Sequence, residues 1–138
     1  MNIEKLKDSI KKHEGLQLKI YTCPAGKLTI GYGRNVEDRG ITQKEANILL
    51  ENDILDIKLE LEDKLPLFKF LDDVRQNVLV EMAFNLGIKG LLQFKKTLEY
   101  ISLKDYDNAS KEMLNSKWAN QVGKRAITLS NLLKKGEF

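Results

Sequence analysis

The sequence predicts an α+β fold: a small β-hairpin lobe and a larger helical lobe joined by one long helix. Three observations point to it. Residues 16–36 alternate apolar and polar side chains on either side of Pro24-Ala25-Gly26. Residues 43–65 repeat apolar side chains at helical spacing and open on a capping box. From residue 72 onward the period is helical throughout. The 138 residues predict a single domain. Its β lobe spans about 16–40 and its connecting helix about 43–65, and its helical lobe covers about 66–138 together with an N-terminal helix at 2–13.

The first helix rests on Ile3, Leu6 and Ile10, with Gly15 as its stop. The hairpin continues through Leu28, Ile30 and Tyr32, where Gly31 and Gly33 relieve close backbone packing. Thr42-Gln43-Lys44-Glu45 is the capping box: the threonine hydroxyl accepts a backbone N–H and the glutamate reaches back. The helix that follows carries Ala46, Leu50, Ile54, Ile57 and Leu61 on one stripe, widened by Ile48, Leu55 and Leu59, and Pro66 ends it. Its roughly 22 residues span roughly 33 Å. Asp72 or Asp73 caps a helix that runs to Leu86 and stops at Gly87, with Val74, Val78, Met82 and Leu86 on its apolar face. Shorter helices are expected around 91–101, 106–116 and 124–134. Two lobes joined by one helix leave a cleft, the usual place for a substrate.

Composition excludes several classes. At 42% hydrophobic and 31% charged the chain is globular rather than disordered. A chain of this length buries ~68% of its unfolded surface, enough for a core without staples. One cysteine and one histidine exclude a disulfide scaffold and a zinc finger, and no metal or other cofactor is predicted. The net charge is +3, which suits an anionic wall or a nucleic acid without demanding either. The lysine pairs at 11–12, 95–96 and 134–135 are scattered and read as solvated surface, so no nucleic-acid partner is expected. The opening MNIEKLKDSIKKHEG has no apolar run, which predicts no signal peptide. No stretch of ~18 apolar residues predicts a span, and no stable membrane association is expected. Synthesis in a reducing cytoplasm suits the lone thiol.

The chemistry concentrates between residues 13 and 33. Glu14 ends the first helix, where the carbonyl dipoles disfavour a carboxylate and partial burial would act the same way. That is the direction a general acid needs. On periodicity alone an ordinary surface glutamate is the favoured reading. Cys23 stands at the hairpin turn, where a lone cysteine is most often a small buried hydrophobe. Thr29 suits a strand by propensity alone. Gly31-Tyr32-Gly33 lacks the helix and the Lys-Ser/Thr pair of a phosphate loop.

Together these residues resemble the phage-type lysozymes, the endolysins of T-even and lambdoid phages. Glu14, eight residues, Cys23, five residues and Thr29 reproduce that family's Glu-x8-(Asp or Cys)-x5-Thr pattern. The text around it, EGLQLKIY and LTIGYG, is similar too, as are MAFNLG with Phe94 and the later SKWANQVGKRA. The resemblance runs over about residues 3–134. It implies a lysozyme-like fold and a muramidase that hydrolyses the β-1,4 bond between N-acetylmuramic acid and N-acetylglucosamine. Glu14 then takes the general acid's place, Thr29 stands beside the attacking water, and Cys23 stands where many members have aspartate. Arg125 matches an arginine that pairs with the catalytic glutamate, and Gln121 supports the loop before it. Asn35, Phe84 and Thr97 fall at positions near the substrate. Asn35 replaces an apolar residue and Glu112 an asparagine. Phe94 suits core packing as well as the cleft floor, Trp118 the helical core, and His13 the exposed surface.

The resemblance further implies peptidoglycan strands as the partner, a holin-type pore for release to the wall, and action as a monomer in host lysis. A water held by Thr29 and residue 23 opposite Glu14 would invert the anomeric centre. Aspartate, at about 3.9, is ionised at neutral pH, and a thiol, at about 8.5, is not. Lys19, Lys27 or Arg34 would lower the thiol if directed at it. Two alternatives stay open: a wall-binding protein that kept the fold and lost the chemistry, and a lytic transglycosylase.

Overall fold

The computed structural model describes residues 1–138, which divide into two compact units, Met1–Leu49 and Leu50–Phe138. The chain is mostly helical with one small antiparallel sheet, the α+β architecture expected.

The first unit opens on α1 (Ile3–Glu14). Asn2 caps it, its side chain accepting the Lys5 N–H at 3.0 Å. Gly15 ends it in a left-handed conformation (φ 73°), bonding its N–H to the Lys11 carbonyl. β1 (Gln17–Thr22) and β2 (Leu28–Gly31) pair Tyr21 with Thr29 and Thr22 with Leu28. A bulge between Gln17 and Tyr21 gives β1 extra residues against β2. The Gly26 N–H bonds the Cys23 carbonyl at 2.8 Å and the Cys23 N–H bonds the Lys27 carbonyl at 2.9 Å. This is a three-residue hairpin loop, and Gly26 (φ 84°) takes its left-handed position. β3 (Arg34–Asn35) adds to β2, setting Thr29 opposite Asn35 and Ile30 opposite Arg34.

α2 (Val36–Arg39) is a single turn capped by Asn35, whose Oδ1 accepts the Asp38 N–H at 3.0 Å. The capping box forms as expected: Glu45 Oε1 accepts the Thr42 N–H at 2.8 Å, and Thr42 Oγ1 accepts the Glu45 N–H at 3.2 Å. It starts α3 (Gln43–Lys64), which leads into the second unit.

There the chain makes a 3-10 turn at Phe68–Phe70 ahead of α4 (Asp73–Leu92), capped by Asp72. The predicted stop at Gly87 is a break rather than an end. Gly87 is left-handed (φ 80°), and the helix takes one more turn to Leu92. α5 (Lys95–Ser102), α6 (Tyr106–Leu114), α7 (Lys117–Val122) and α8 (Lys124–Lys135) follow. α2 and α7 were not predicted. Four and six residues are too few to display a period, and each depends on its cap, Asn35 or Ser116.

The core of the second unit is built around Val78, Leu79 and Met82 of α4, with Leu61, Ile101, Met113 and Leu133. The apolar stripe of α3 is only partly used: Leu61 is buried and Ile57 packs on the core, while Leu50, Ile54, Leu55 and Leu59 are exposed. Of α3, only its C-terminal half contributes to this core, through Ile57 and Leu61. Arg75 ties the start of α4 to the end of α8. Its Nε donates to the Leu133 carbonyl at 2.7 Å and its Nη2 to the Lys134 carbonyl at 2.9 Å, and the guanidinium lies 3.4 Å from the centre of the Tyr106 ring. It thereby satisfies carbonyls that a helix end leaves unpaired. No helix is long and apolar enough to cross a membrane.

Candidate active site

Glu14, Cys23 and Thr29 all lie in the first unit. Glu14 is the last residue of α1, as expected, and is exposed, so partial burial does not add to the effect of the helix end. Its carboxylate packs against Gly33 in the turn after β2. A Cβ at Gly33 would stand 2.7 Å from Glu14 Cδ, which is overlap, and Gly33 is also left-handed (φ 70°). Glycine is therefore required there on two counts. The close packing read from the sequence at Gly33 is the catalytic candidate's own side chain. At Gly31 nothing lies within 4 Å, and only its φ of 72° calls for glycine.

Cys23 and Thr29 face each other across the hairpin loop. Thr29 is buried, and its hydroxyl donates to the Lys27 carbonyl at 2.9 Å. Cys23 is half-buried. Its thiol is held below its ordinary pKa first by the backbone N–H of Lys27 and then by the Thr29 hydroxyl; desolvation opposes this, and the N–H groups of Ala25 and Gly26 add to it. The Thr29 proton points at a carbonyl here, so it serves the sulfur only when the hydroxyl rotates.

The cations proposed from sequence are not the cause. The Lys27 ammonium is clipped by Glu37 at 3.4 Å and Asp38 at 3.3 Å. Arg34 forks onto Glu45: one prong is a bond from Nη1 to Oε2 and the other, from Nη2 to Oε1, is 2.8 Å. Arg34 Nε also donates to the Gly40 carbonyl at 3.1 Å. Glu45 is pushed down to about 2, by the Thr42 N–H first and Arg34 second. The Asn35 side chain is committed to α2, donating to Asp38 Oδ2 as well as accepting from its N–H. His13 is exposed, with Ser9 Oγ 3.4 Å from its Nδ1.

The other candidates lie in the second unit. Phe84, Glu81 and Arg125 line a cavity of about 670 Å³ with Asn77 and Gln76. Arg125 Nε donates to Glu81 Oε2 at 2.8 Å. The sequence reading missed Glu81, since 44 residues separate the pair and neither carries a local signal. Thr97 lines a different cavity, of about 310 Å³, beside Phe94 and Glu112, and only 2% of it is exposed. The structure therefore does not bring Thr97 and Phe84 to one wall. Trp118 is core, as expected: its Nε1 donates to Asn85 Oδ1 at 2.7 Å and its ring meets Phe94 edge-on. Gln121 is exposed near the end of α7, two residues before the left-handed Gly123.

Comparison with known proteins identifies the family. The family described as Phage lysozyme matches residues 11–135. An endolysin of Acyrthosiphon pisum secondary endosymbiont phage 1 is 34% identical, over 91% of this chain and 86% of its own length. Probable T4-type lysozyme 1 of Dictyostelium discoideum is 27% identical, over 97% of this chain and 96% of its own.

Proposed function

The chain belongs to the phage lysozyme family, and on that premise we propose that it hydrolyses the β-1,4 bond between N-acetylmuramic acid and N-acetylglucosamine with Glu14 as general acid. Family membership supports a glycoside hydrolase acting on peptidoglycan. The observation that carries the finer reading is the company Glu14 keeps. Its carboxylate packs on the turn that follows the strand bearing Thr29, and the hairpin loop of that strand bears Cys23.

Glycoside cleavage needs a proton on the departing oxygen and a nucleophile opposite it. Glu14 supplies the proton, a contribution of roughly 10²- to 10⁴-fold. Thr29 and Cys23 orient the water. The Thr29 hydroxyl spends its proton on the Lys27 carbonyl, so its oxygen is left as an acceptor. A thiolate at Cys23, favoured by the loop N–H groups, is a second acceptor. A water that donates both protons to these two acceptors presents its lone pair to the anomeric carbon. Attack from that side inverts the configuration; as Glu14 gives its proton to the departing oxygen, the Cys23 thiolate takes the one the water sheds. Release to the wall through a holin-type pore and action as a monomer in host lysis complete the proposal.

The test is the product released from purified peptidoglycan. Wild type is expected to yield reducing sugars heavier by one water, in the α configuration, and Glu14→Gln to yield almost none. An anhydro-sugar product would make the protein a lytic transglycosylase. Binding to the wall without release by wild type, or release by Glu14→Gln at the wild-type rate, would remove the hydrolase mechanism.

A further inference from the structure

Gly33 touches the Glu14 carboxylate, yet no bond from Gly33 itself keeps it there. The next residue does that work. Arg34 follows Gly33 directly at the start of β3, and its side chain is anchored at three points. We propose that Arg34 is a positioning residue for Glu14: its two-pronged bond to Glu45 and its Nε bond to the Gly40 carbonyl hold Gly33 against the Glu14 carboxylate.

α3 is the longest helix of the chain, and Glu45 lies in its first turn, fixed by the capping box with Thr42. Glu45 Oε1 accepts both the Thr42 N–H and an Arg34 N–H at 2.8 Å, so the helix cap and the guanidinium share one carboxylate. A guanidinium presents its donors in a planar fork that matches a carboxylate, and the pair resists rotation as well as separation. The Nε bond fixes the third direction. Arg34 is one-fifth exposed, which shields the pair from the solvent that makes surface ion pairs weak. Glu45's low pKa reports the same environment. Gly33, the chain neighbour of Arg34, carries the contact with the Glu14 carboxylate, and β2 pairs with β3 on the other side, through Thr29 and Asn35. Slack at Arg34 therefore reaches both the acid and the strand of Thr29. A misplacement near 1 Å costs about 100-fold in rate when reacting groups must be aligned.

This inference rests on the proposed hydrolysis, and its test keeps the two separable. Steady-state kinetics on soluble peptidoglycan fragments are compared for wild type, Arg34→Ala, Arg34→Lys and Glu45→Gln, below each variant's melting temperature. Lys64→Ala, which loses an ordinary surface pair with Glu60, is the control. Positioning predicts that Arg34→Ala lowers kcat about 10- to 100-fold with KM unchanged. Arg34→Lys keeps the charge without the fork and recovers only part of the rate. Glu45→Gln still accepts the Thr42 N–H and falls in the same direction by less. The control keeps the wild-type kcat. Wild-type kcat in folded Arg34→Ala, or full recovery in Arg34→Lys, overturns the proposal while leaving hydrolysis standing. If wild type releases no sugar, hydrolysis has failed and the clamp is judged by hydrogen exchange at the Gly33 amide. Faster exchange in Arg34→Ala than in the control supports the clamp, and equal exchange overturns it.

Discussion

Between Met1 and Leu49 one residue, Thr29, is buried; between Leu50 and Phe138 most of the buried side chains form a continuous apolar cluster. The second unit is held by exclusion of water, a force without direction. The first is held by directed polar bonds: the Asn2, Asn35 and Thr42 caps, the hairpin ladder, and the Lys27 and Arg34 ion pairs. Polar bonds fix angles and distances, which chemistry needs, but each is worth only about 1 kcal/mol net. The unit that bears Glu14, Cys23 and Thr29 is thus ordered more by geometry than by burial. It should be the more sensitive of the two to charge and acidity.

The largest effect should come from breaking the buried side. Met82→Ala removes a fully buried side chain and is expected to lower stability by about 2–5 kcal/mol in urea denaturation. Leu18→Ala, at an 80% exposed position of β1, should change it by less than about 0.5 kcal/mol. Equal losses would refute the contrast. Next, Gly33→Ala forces a Cβ onto the Glu14 carboxylate at a left-handed position. Sugar release should fall about 100-fold while the melting of the helical core is little changed.

Acid supplies a third, smaller test. Glu45 in the folded chain sits at about 2, below its ordinary value of 4.5. A depressed folded pKa stabilises fully above the ordinary value, and that stabilisation is lost as pH falls from there toward about 2. Amides of the first turn of α3 should therefore exchange faster, relative to α4, as pH drops through that window. Arg34→Ala should show a weaker dependence. The mildest change is Cys23→Asp, which should keep substantial wall-lysing activity because aspartate is also an acceptor. Alkylation of Cys23 should inactivate the protein and proceed at a lower pH than for a free thiol, as the loop N–H groups imply. Full activity after complete alkylation would remove Cys23 from the mechanism.

What the sequence determined by itself was local. The Thr42–Glu45 box, the stop at Pro66, the Asp72 cap, the turn at Pro24-Ala25-Gly26 and the break at Gly87 all act within a few residues, where backbone hydrogen bonding and φ preference decide the outcome. The set Glu14, Cys23 and Thr29 was legible only through its resemblance to a family's spacing, since each residue alone reads as ordinary surface, core or strand. The tertiary structure alone decided the partners of the long side chains. Arg34 meets Glu45 across 11 residues, Arg125 meets Glu81 across 44, and Arg75 meets the Leu133 carbonyl across 58. An arginine reaches several carboxylates with similar energy in an open chain, and only packing selects one. Packing likewise spent the room at Gly33 on Glu14 and engaged little of the apolar stripe of α3.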